Sequence, residues 1–166
     1  MAIKSVGSIL EPYDHDGKIS VFGFGAVPTF IGKHTSHCFP LTGNSDKPAV
    51  EGIAGVAEIY RATLPLIKFS GPTRFARLLT EFKKHVASRT MAYHVLLLLT
   101  DGEIHDMPET RSIIVELSSM PCSIVIIGVG EEDFKNMKFL DSDKSALTDT
   151  NGVKSTRDIV QFVVFA

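Results

Sequence analysis

Two apolar stretches decide the fold: HVLLLLT at residues His94–Thr100 and CSIVIIGVG at residues Cys122–Gly130. Neither stretch alternates between apolar and polar residues, and the first ends abruptly in Asp101-Gly102. Continuous apolar runs of this length are typical of parallel strands that are buried on both faces. The two stretches therefore predict strands of a largely parallel sheet.

Helical periodicity accompanies these strands. Three patterns have the spacing of one helix face: Phe75, Leu78, Leu79, Phe82 and Val86; Val50, Ile53, Ala54, Ala57 and Leu64; and Ile113, Ile114 and Leu117. The third has a start signal, with Asp106 as N-cap, Pro108 in the first turn and Glu109 placed to close a capping box. A short apolar pattern over Ile3–Leu10 suggests one more helix. Alternating strands and helices predict an α/β fold, doubly wound, with a mostly parallel sheet and helices on both faces.

Three further segments are candidate strands. Ile19–Gly25 is apolar, Thr35–Leu41 suits a short edge strand because it contains Pro40, and Ile159–Phe165 is interpreted as a last strand with helix as the alternative. The expected loops are Pro28–Lys33, Thr42–Pro48 and Asp141–Lys154, the last a polar surface excursion with Asp141, Asp143, Asp149 and Gly152.

Composition limits the function classes. The 166 residues, 44% of them hydrophobic, suit a single domain over residues 1–166. A formal net charge of −2 gives no electrostatic case for a nucleic-acid partner. Cys38 and Cys122 form no CxxC pair, which favours a reducing intracellular compartment. No apolar run approaches the about 20 residues of a membrane span, so membrane association must come from elsewhere in a longer protein.

Asp101 is the main candidate for chemistry, because ligands of open parallel sheets bind beyond the carboxyl ends of the strands. A carboxylate after four leucines is costly to desolvate unless it is paired, and Gly102 allows a partner to approach closely. Oxygen ligands favour Mg²⁺ or another hard cation. Asp-Gly is also a common turn pair, and the residues alone leave the metal and turn interpretations equally open.

Ser70-Gly71-Pro72-Thr73 is the second candidate, where Thr73 can cap the following helix or coordinate a cation. The cap is the simpler role. Other motifs fail: the glycine pairs after the strands lack the third glycine of a dinucleotide site, and His34-x-x-His37-Cys38 lacks a second pair of zinc ligands. His105 lies near Asp101 in the sequence without a nucleophile.

The ordered combination of motifs resembles the copine family over nearly the whole chain. The segments that carry the resemblance are YHVLLLLTDGEIHDMPETRSIIVELSSMPCSIVIIGVGEEDFKNMKFLD at 93–141, GKISVFGFGA at 17–26, GPT at 71–73, VEGIAGVAEIYRATLP at 50–65 and RDIVQFVVF at 157–165. The resemblance implies a von Willebrand factor A-type domain of an intracellular protein, preceded there by calcium-dependent phospholipid-binding domains. It further implies a cytoplasmic protein with peripheral membrane association, whose A domain recruits target proteins that the sequence does not identify.

The resemblance also implies a Mg²⁺ or Mn²⁺ site of the adhesion type. It assigns metal-ligand roles to Thr73 and Asp101, with Ser70, Gly102, Glu103 and His105 on the rim. The family's DxSxS motif, which belongs to a central strand before the first helix, is absent here. We therefore expect a partial domain, shortened at both ends, with an incomplete metal site that this piece alone need not fill.

Two other functions remain open at this point. A copine-like domain of a RING-type ubiquitin ligase would select substrates for an attached enzyme, and would be followed by a Cys/His-rich zinc pattern. A hydrolase using Asp101 and His105 lacks a nucleophile, an oxyanion device and a phosphate cradle, so we expect no enzyme activity.

The missing central strand predicts low stability for the chain on its own. Without that strand, the segments Ile19–Gly25 and His94–Thr100 must pair directly or leave a gap in the sheet. We expect a broad thermal unfolding transition at low temperature in circular dichroism. A sharp, cooperative transition at high temperature would contradict this expectation.

Overall fold

A computed structural model describes residues 2–141 and 145–165 of the chain. These residues form two compact units that meet in the sequence at Thr73 and Arg74, and each unit is described by itself. None of the helices in the described part has the length and apolar character that a membrane span requires.

The first unit combines two α-helices with short antiparallel strand pairs. Its elements are α1 (Ala2–Leu10), β1 (Lys18–Ser20), β2 (Phe22–Gly23), β3 (Ala26–Pro28), β4 (Phe39–Pro40), β5 (Ala49–Glu51), α2 (Gly52–Thr63) and β6 (Ile67–Phe69). Strand β1 pairs with β5, β2 with β4, and β3 with β6. Turns of 3₁₀ helix follow α1 at Glu11–Tyr13 and α2 at Leu64–Leu66.

The predicted strand Ile19–Gly25 is divided in the structure. Strands β1 and β2 share one continuous stretch but have different partners, and Val21 between them donates its N–H to the Pro48 carbonyl and accepts from the Leu41 N–H. The stretch ends at Gly25, which has a φ of 67°. Its partners are β4 and β5, short antiparallel strands that an apolar pattern does not identify. The predicted edge strand Thr35–Leu41 is reduced to β4.

Helices α1 and α2 are held together by a close approach and a cap. Gly7 of α1 packs on Ile53, so closely that a Cβ at Gly7 would lie 2.4 Å from Ile53 Cδ1. The Ile53 N–H donates to Glu11 Oε1 at 2.9 Å, while Glu51 at the N-cap position makes no side-chain cap. Glu11 therefore satisfies a free N–H at the start of α2 from another element.

The second unit is built from strands that alternate with helices. Its elements are α3 (Ala76–Ser88), β7 (His94–Thr100), α4 (Met107–Leu117), β8 (Cys122–Val129), α5 (Lys135–Asp141) and β9 (Val160–Phe165). The strands form one parallel sheet in the order β7-β8-β9, with His94 opposite Cys122 and Ile124 opposite Val160. The predicted α/β class is confirmed, and this arrangement is consistent with the A-type fold that the resemblance implies.

The sheet of the second unit has two unequal faces. Leu98, Ile124 and Ile126 lie on one face and are almost fully buried. On the opposite face, Val95 is 49% exposed and Val163 is 47% exposed. The apolar runs therefore correctly predict the strands, but burial is incomplete on both faces: Val164 on the first face is 48% exposed, whereas Ile127 on the second is 3% exposed.

Helix α5 was not predicted, and it occupies part of the sequence just before the expected loop. It has only seven residues, with Met137 and Leu140 buried, and so gives a weak periodic signal. Asp141 ends this helix, and Asp143 lies outside the described residues. Further along, Asp149 Oδ1 accepts N–H groups from Asn151 and Val153, which forms a tight turn.

Gly128 of β8 provides a test of packing in the second unit. A Cβ at this position would lie 2.8 Å from the Phe134 ring and 3.0 Å from the Phe162 ring. Gly128→Ala should lower the free energy of unfolding by about 1–3 kcal/mol because the rings must move. Urea unfolding measures the change. Gly32→Ala, where a Cβ meets nothing within 4 Å, is the control; equal effects of both changes would contradict the packing argument.

A second test concerns His85, whose ring packs edge-to-face on His94 with centroids 5.1 Å apart. Burial, then the charges of His94 and Arg89, lower the pKa of His85 from its ordinary value of 6.5. Because the fold disfavours the protonated ring, stability present above pH 6.5 should decline as the pH falls below it. His85→Gln should flatten this part of the pH–stability curve measured by thermal unfolding; an unchanged curve would refute the assignment.

Candidate functional site

Asp101 lies where the sequence predicts it, directly after β7 at the carboxyl end of the parallel sheet. Its side chain is exposed, whereas Thr100 before it is buried. The Thr100 hydroxyl accepts the Gly102 N–H at 3.4 Å, which folds the backbone around Asp101. The carboxylate is therefore presented to solvent from the end of a buried strand.

Gly102 allows the loop after β7 to approach the loop after β8. The residue is buried, its φ is 149°, and a Cβ there would lie 3.0 Å from Glu132 Cβ. The sequence predicted a close approach at this glycine, and the structure shows the Glu132 side chain in that place. The approach brings together loops that carry acidic residues.

Residues 101–106 alternate between exposed and buried positions. Gly102, Ile104 and Asp106 are buried, and the three residues between and before them, Asp101, Glu103 and His105, are exposed. His105 Nε2 lies 3.5 Å from Glu103 Oε2, an ion pair when the imidazole is protonated. This segment is called the Asp101 loop below. The buried residues of this loop pack within the protein, and the side chains of its exposed residues face solvent.

Asp106 anchors the end of the Asp101 loop. It occupies the predicted N-cap position of α4, and its carbonyl accepts the Thr110 N–H. Its carboxylate, however, makes no cap on α4 and binds the start of α3 instead, accepting the N–H groups of Phe75 at 2.9 Å and Ala76 at 2.8 Å. The predicted position is correct, but the capping-box role that the sequence suggested is wrong.

The structure also locates Ser70 and Thr73, which belong to the first unit. Ser70 shares a hydrogen bond of 2.8 Å with the Thr35 hydroxyl and donates its N–H to the Gly25 carbonyl. Thr73 is the last residue of that unit, whereas Asp101 belongs to the second. The predicted capping role of Thr73 is wrong, because Phe75 occupies the N-cap position of α3 and Asp106 binds the first N–H groups.

The loop after β8 contributes acidic residues that the sequence reasoning did not assign to a site. Glu131, Glu132 and Asp133 are all exposed. Asp133 pairs with Lys135 at 2.8 Å, and the hydrogen bond and charge of Lys135 lower the pKa of Asp133. The signal in the sequence was an acidic run directly after a buried strand, the same position relative to β8 that Asp101 has relative to β7.

The donor atoms near Asp101 are suited in type to a hard cation. Carboxylate oxygens are the ligands that Mg²⁺ prefers, and Mg²⁺ retains several waters when a protein supplies one or two ligands. Within residues 2–141 and 145–165, no group of three or more His, Cys, Asp or Glu side chains is arranged to hold a metal. The carboxylate oxygens near Asp101 match Mg²⁺ in donor type, but the described residues offer few ligands to it.

Comparisons with known proteins agree with the family resemblance. A family model described as Copine matches residues 1–166. Copine-C of Dictyostelium discoideum is 46% identical over 99% of the chain, and Copine-E of the same organism is 48% identical over 99%. Protein BONZAI 2 of Arabidopsis thaliana is 43% identical over 98% of the chain.

The second unit is an α/β module whose parallel sheet presents acidic loops at its carboxyl end. With the match over all 166 residues, the chain belongs to the copine family. It spans 28–31% of the length of these three relatives.

Proposed function

We propose that the chain is a protein-interaction module of a copine-type protein, which binds Mg²⁺ or Mn²⁺ through Asp101 and recruits target proteins there. The observation that supports this proposal most directly is the exposed Asp101 carboxylate on an anchored loop at the carboxyl end of β7. Open α/β sheets bind ligands at this end. A metal bound there would leave coordination positions that a carboxylate of the target can occupy.

The family resemblance also gives Thr73 a metal-ligand role, which stays a prediction. Its hydroxyl is an oxygen donor of the kind that accompanies carboxylates at Mg²⁺ sites. The acidic side chains of the Asp101 loop and of the loop after β8 make the local potential negative, which favours a cation. The same potential disfavours nucleic acid as a partner.

A binding role is proposed in preference to catalysis. His105, the one imidazole of the Asp101 loop, is exposed and pairs with Glu103, so it is not held against a Ser, Thr or Cys nucleophile by the contacts described. Efficient nucleophilic catalysis requires a base that is hydrogen-bonded to the nucleophile. The loop presents acceptors for a cation and does not present that arrangement.

The wider setting follows from the relatives. The chain spans less than a third of the length of these relatives. We propose that further domains of the parent protein associate with membranes in a calcium-dependent way, in the cytoplasm, while this module binds target proteins. Targets are expected to offer an accessible carboxylate, the group that completes a Mg²⁺ shell.

A metal titration tests the site. Mn²⁺ binding to the chain, followed by electron paramagnetic resonance of the free ion, should weaken by about tenfold or more in Asp101→Ala, because the principal carboxylate is lost. The matched control is Glu131→Gln, an exposed acid on the neighbouring loop that the resemblance gives no ligand role. Equal Mn²⁺ affinity of Asp101→Ala and the unmodified chain would overturn the metal role.

Target recruitment is tested in the parent protein. Proteins that are captured in Mg²⁺ and released by EDTA should be lost with Asp101→Ala and retained with Glu131→Gln. Capture of the same proteins by all three forms in EDTA would show that recruitment is independent of this metal site.

A further inference from the structure

We infer that Asp106 is a positioning residue, which holds the Asp101 loop in the conformation that presents Asp101. This inference rests on the proposed function of Asp101, and it extends that function to a residue which does not itself reach the solvent. Asp106 is 7% exposed and ends the loop at the start of α4.

The Asp106 carboxylate uses both oxygens. Oδ1 accepts the Phe75 N–H at 2.9 Å and the Thr110 hydroxyl at 3.3 Å. Oδ2 accepts the Ala76 N–H at 2.8 Å. One side chain thereby ties the last residue of the Asp101 loop to the start of α3, 30 and 31 residues earlier in the sequence.

This arrangement requires a carboxylate. The first N–H groups of α3 have no partners within the helix, and the positive end of its dipole favours an anion. An asparagine has the same shape, but its NH₂ group would face either the Phe75 N–H or the Ala76 N–H as a second donor. Asp106→Asn must therefore lose one of the two backbone bonds without creating a cavity.

The loop between its ends is short and has little freedom. Thr100 fixes one end within β7 and Asp106 fixes the other, while Gly102 and Ile104 are buried between them. The alternation leaves Asp101 outside, and the backbone that carries its carboxylate is ordered before any cation binds. Preorganisation of this kind raises affinity by reducing the ordering that binding requires.

A purely structural role for Asp106 makes a different prediction, and Glu11 provides the comparison. Glu11 caps α2 through Ile53 in the same way, at 2.9 Å, in the first unit. If caps matter only for overall stability, Glu11→Ala, which removes the acceptor of the Ile53 N–H, and Asp106→Asn should have the same consequences for the Asp101 loop. If Asp106 positions the loop, only Asp106→Asn should affect it.

The experiment measures amide hydrogen exchange and Mn²⁺ affinity at a temperature where each variant is folded. In Asp106→Asn, the Gly102 amide, which donates to the Thr100 hydroxyl, should exchange at least about tenfold faster, and Mn²⁺ affinity should fall by about tenfold. In Glu11→Ala, both quantities should stay within about twofold of the unmodified chain. Thr110→Val, which removes only the hydroxyl donor to Asp106, should show a smaller effect in the same direction.

The outcomes separate this inference from the proposed function. Unchanged Gly102 exchange in Asp106→Asn, or equal acceleration in Glu11→Ala, overturns the positioning role whatever the metal result. If Asp101→Ala binds Mn²⁺ as tightly as the unmodified chain, the metal proposal fails while the exchange result still decides the role of Asp106. If Asp106→Asn does not fold, Thr110→Val decides it, and normal Gly102 exchange in that variant overturns the inference.

Discussion

The hydrogen bonds between the Asp106 carboxylate and the first N–H groups of α3 meet two needs at once. A buried carboxylate is unfavourable without donors, and the start of a helix is unfavourable without acceptors. The carboxylate and these N–H groups lie 30 and 31 residues apart in the sequence, so their bonds depend on the fold that brings them together. In the first unit, the exposed Glu11 carboxylate likewise accepts one N–H at the start of α2, that of Ile53. In both units a helix begins where a distant acidic side chain allows it to begin.

Much of the second unit could be predicted from the sequence because its strands appear there as continuous apolar runs. The limits of β7 agree with the predicted residues His94–Thr100, and Ile159–Phe165 contains β9. The first unit was harder, since its strands are two or three residues long and pair across loops. Helix α5 was missed for a related reason: seven residues contain too few turns for a clear period. Apolar periodicity in the sequence identifies long helices and strands. Short ones are determined by contacts between segments that are distant in the sequence.

The candidate site shows the same division. Asp101 was predicted because an acid at the end of a buried strand is visible in the sequence, and the same rule would have found Glu131–Asp133 after β8. The sequence correctly predicted Asp106 at the start of α4. Its backbone partners, the N–H groups of Phe75 and Ala76, lie about 30 residues earlier, and no local motif indicates them. The metal role of Thr73 stays a prediction from the family resemblance. Residues that face solvent were found more readily than the residue that supports them.

The alternation within the Asp101 loop also has an evolutionary consequence. The buried positions 102, 104 and 106 maintain the conformation, while the exposed positions 101, 103 and 105 make few contacts with the rest of the protein. Substitutions at 103 and 105 can therefore accumulate at little risk to folding, since surface changes usually have small effects on stability. Related proteins could diverge in what they recognise at these positions while inheriting the same scaffold.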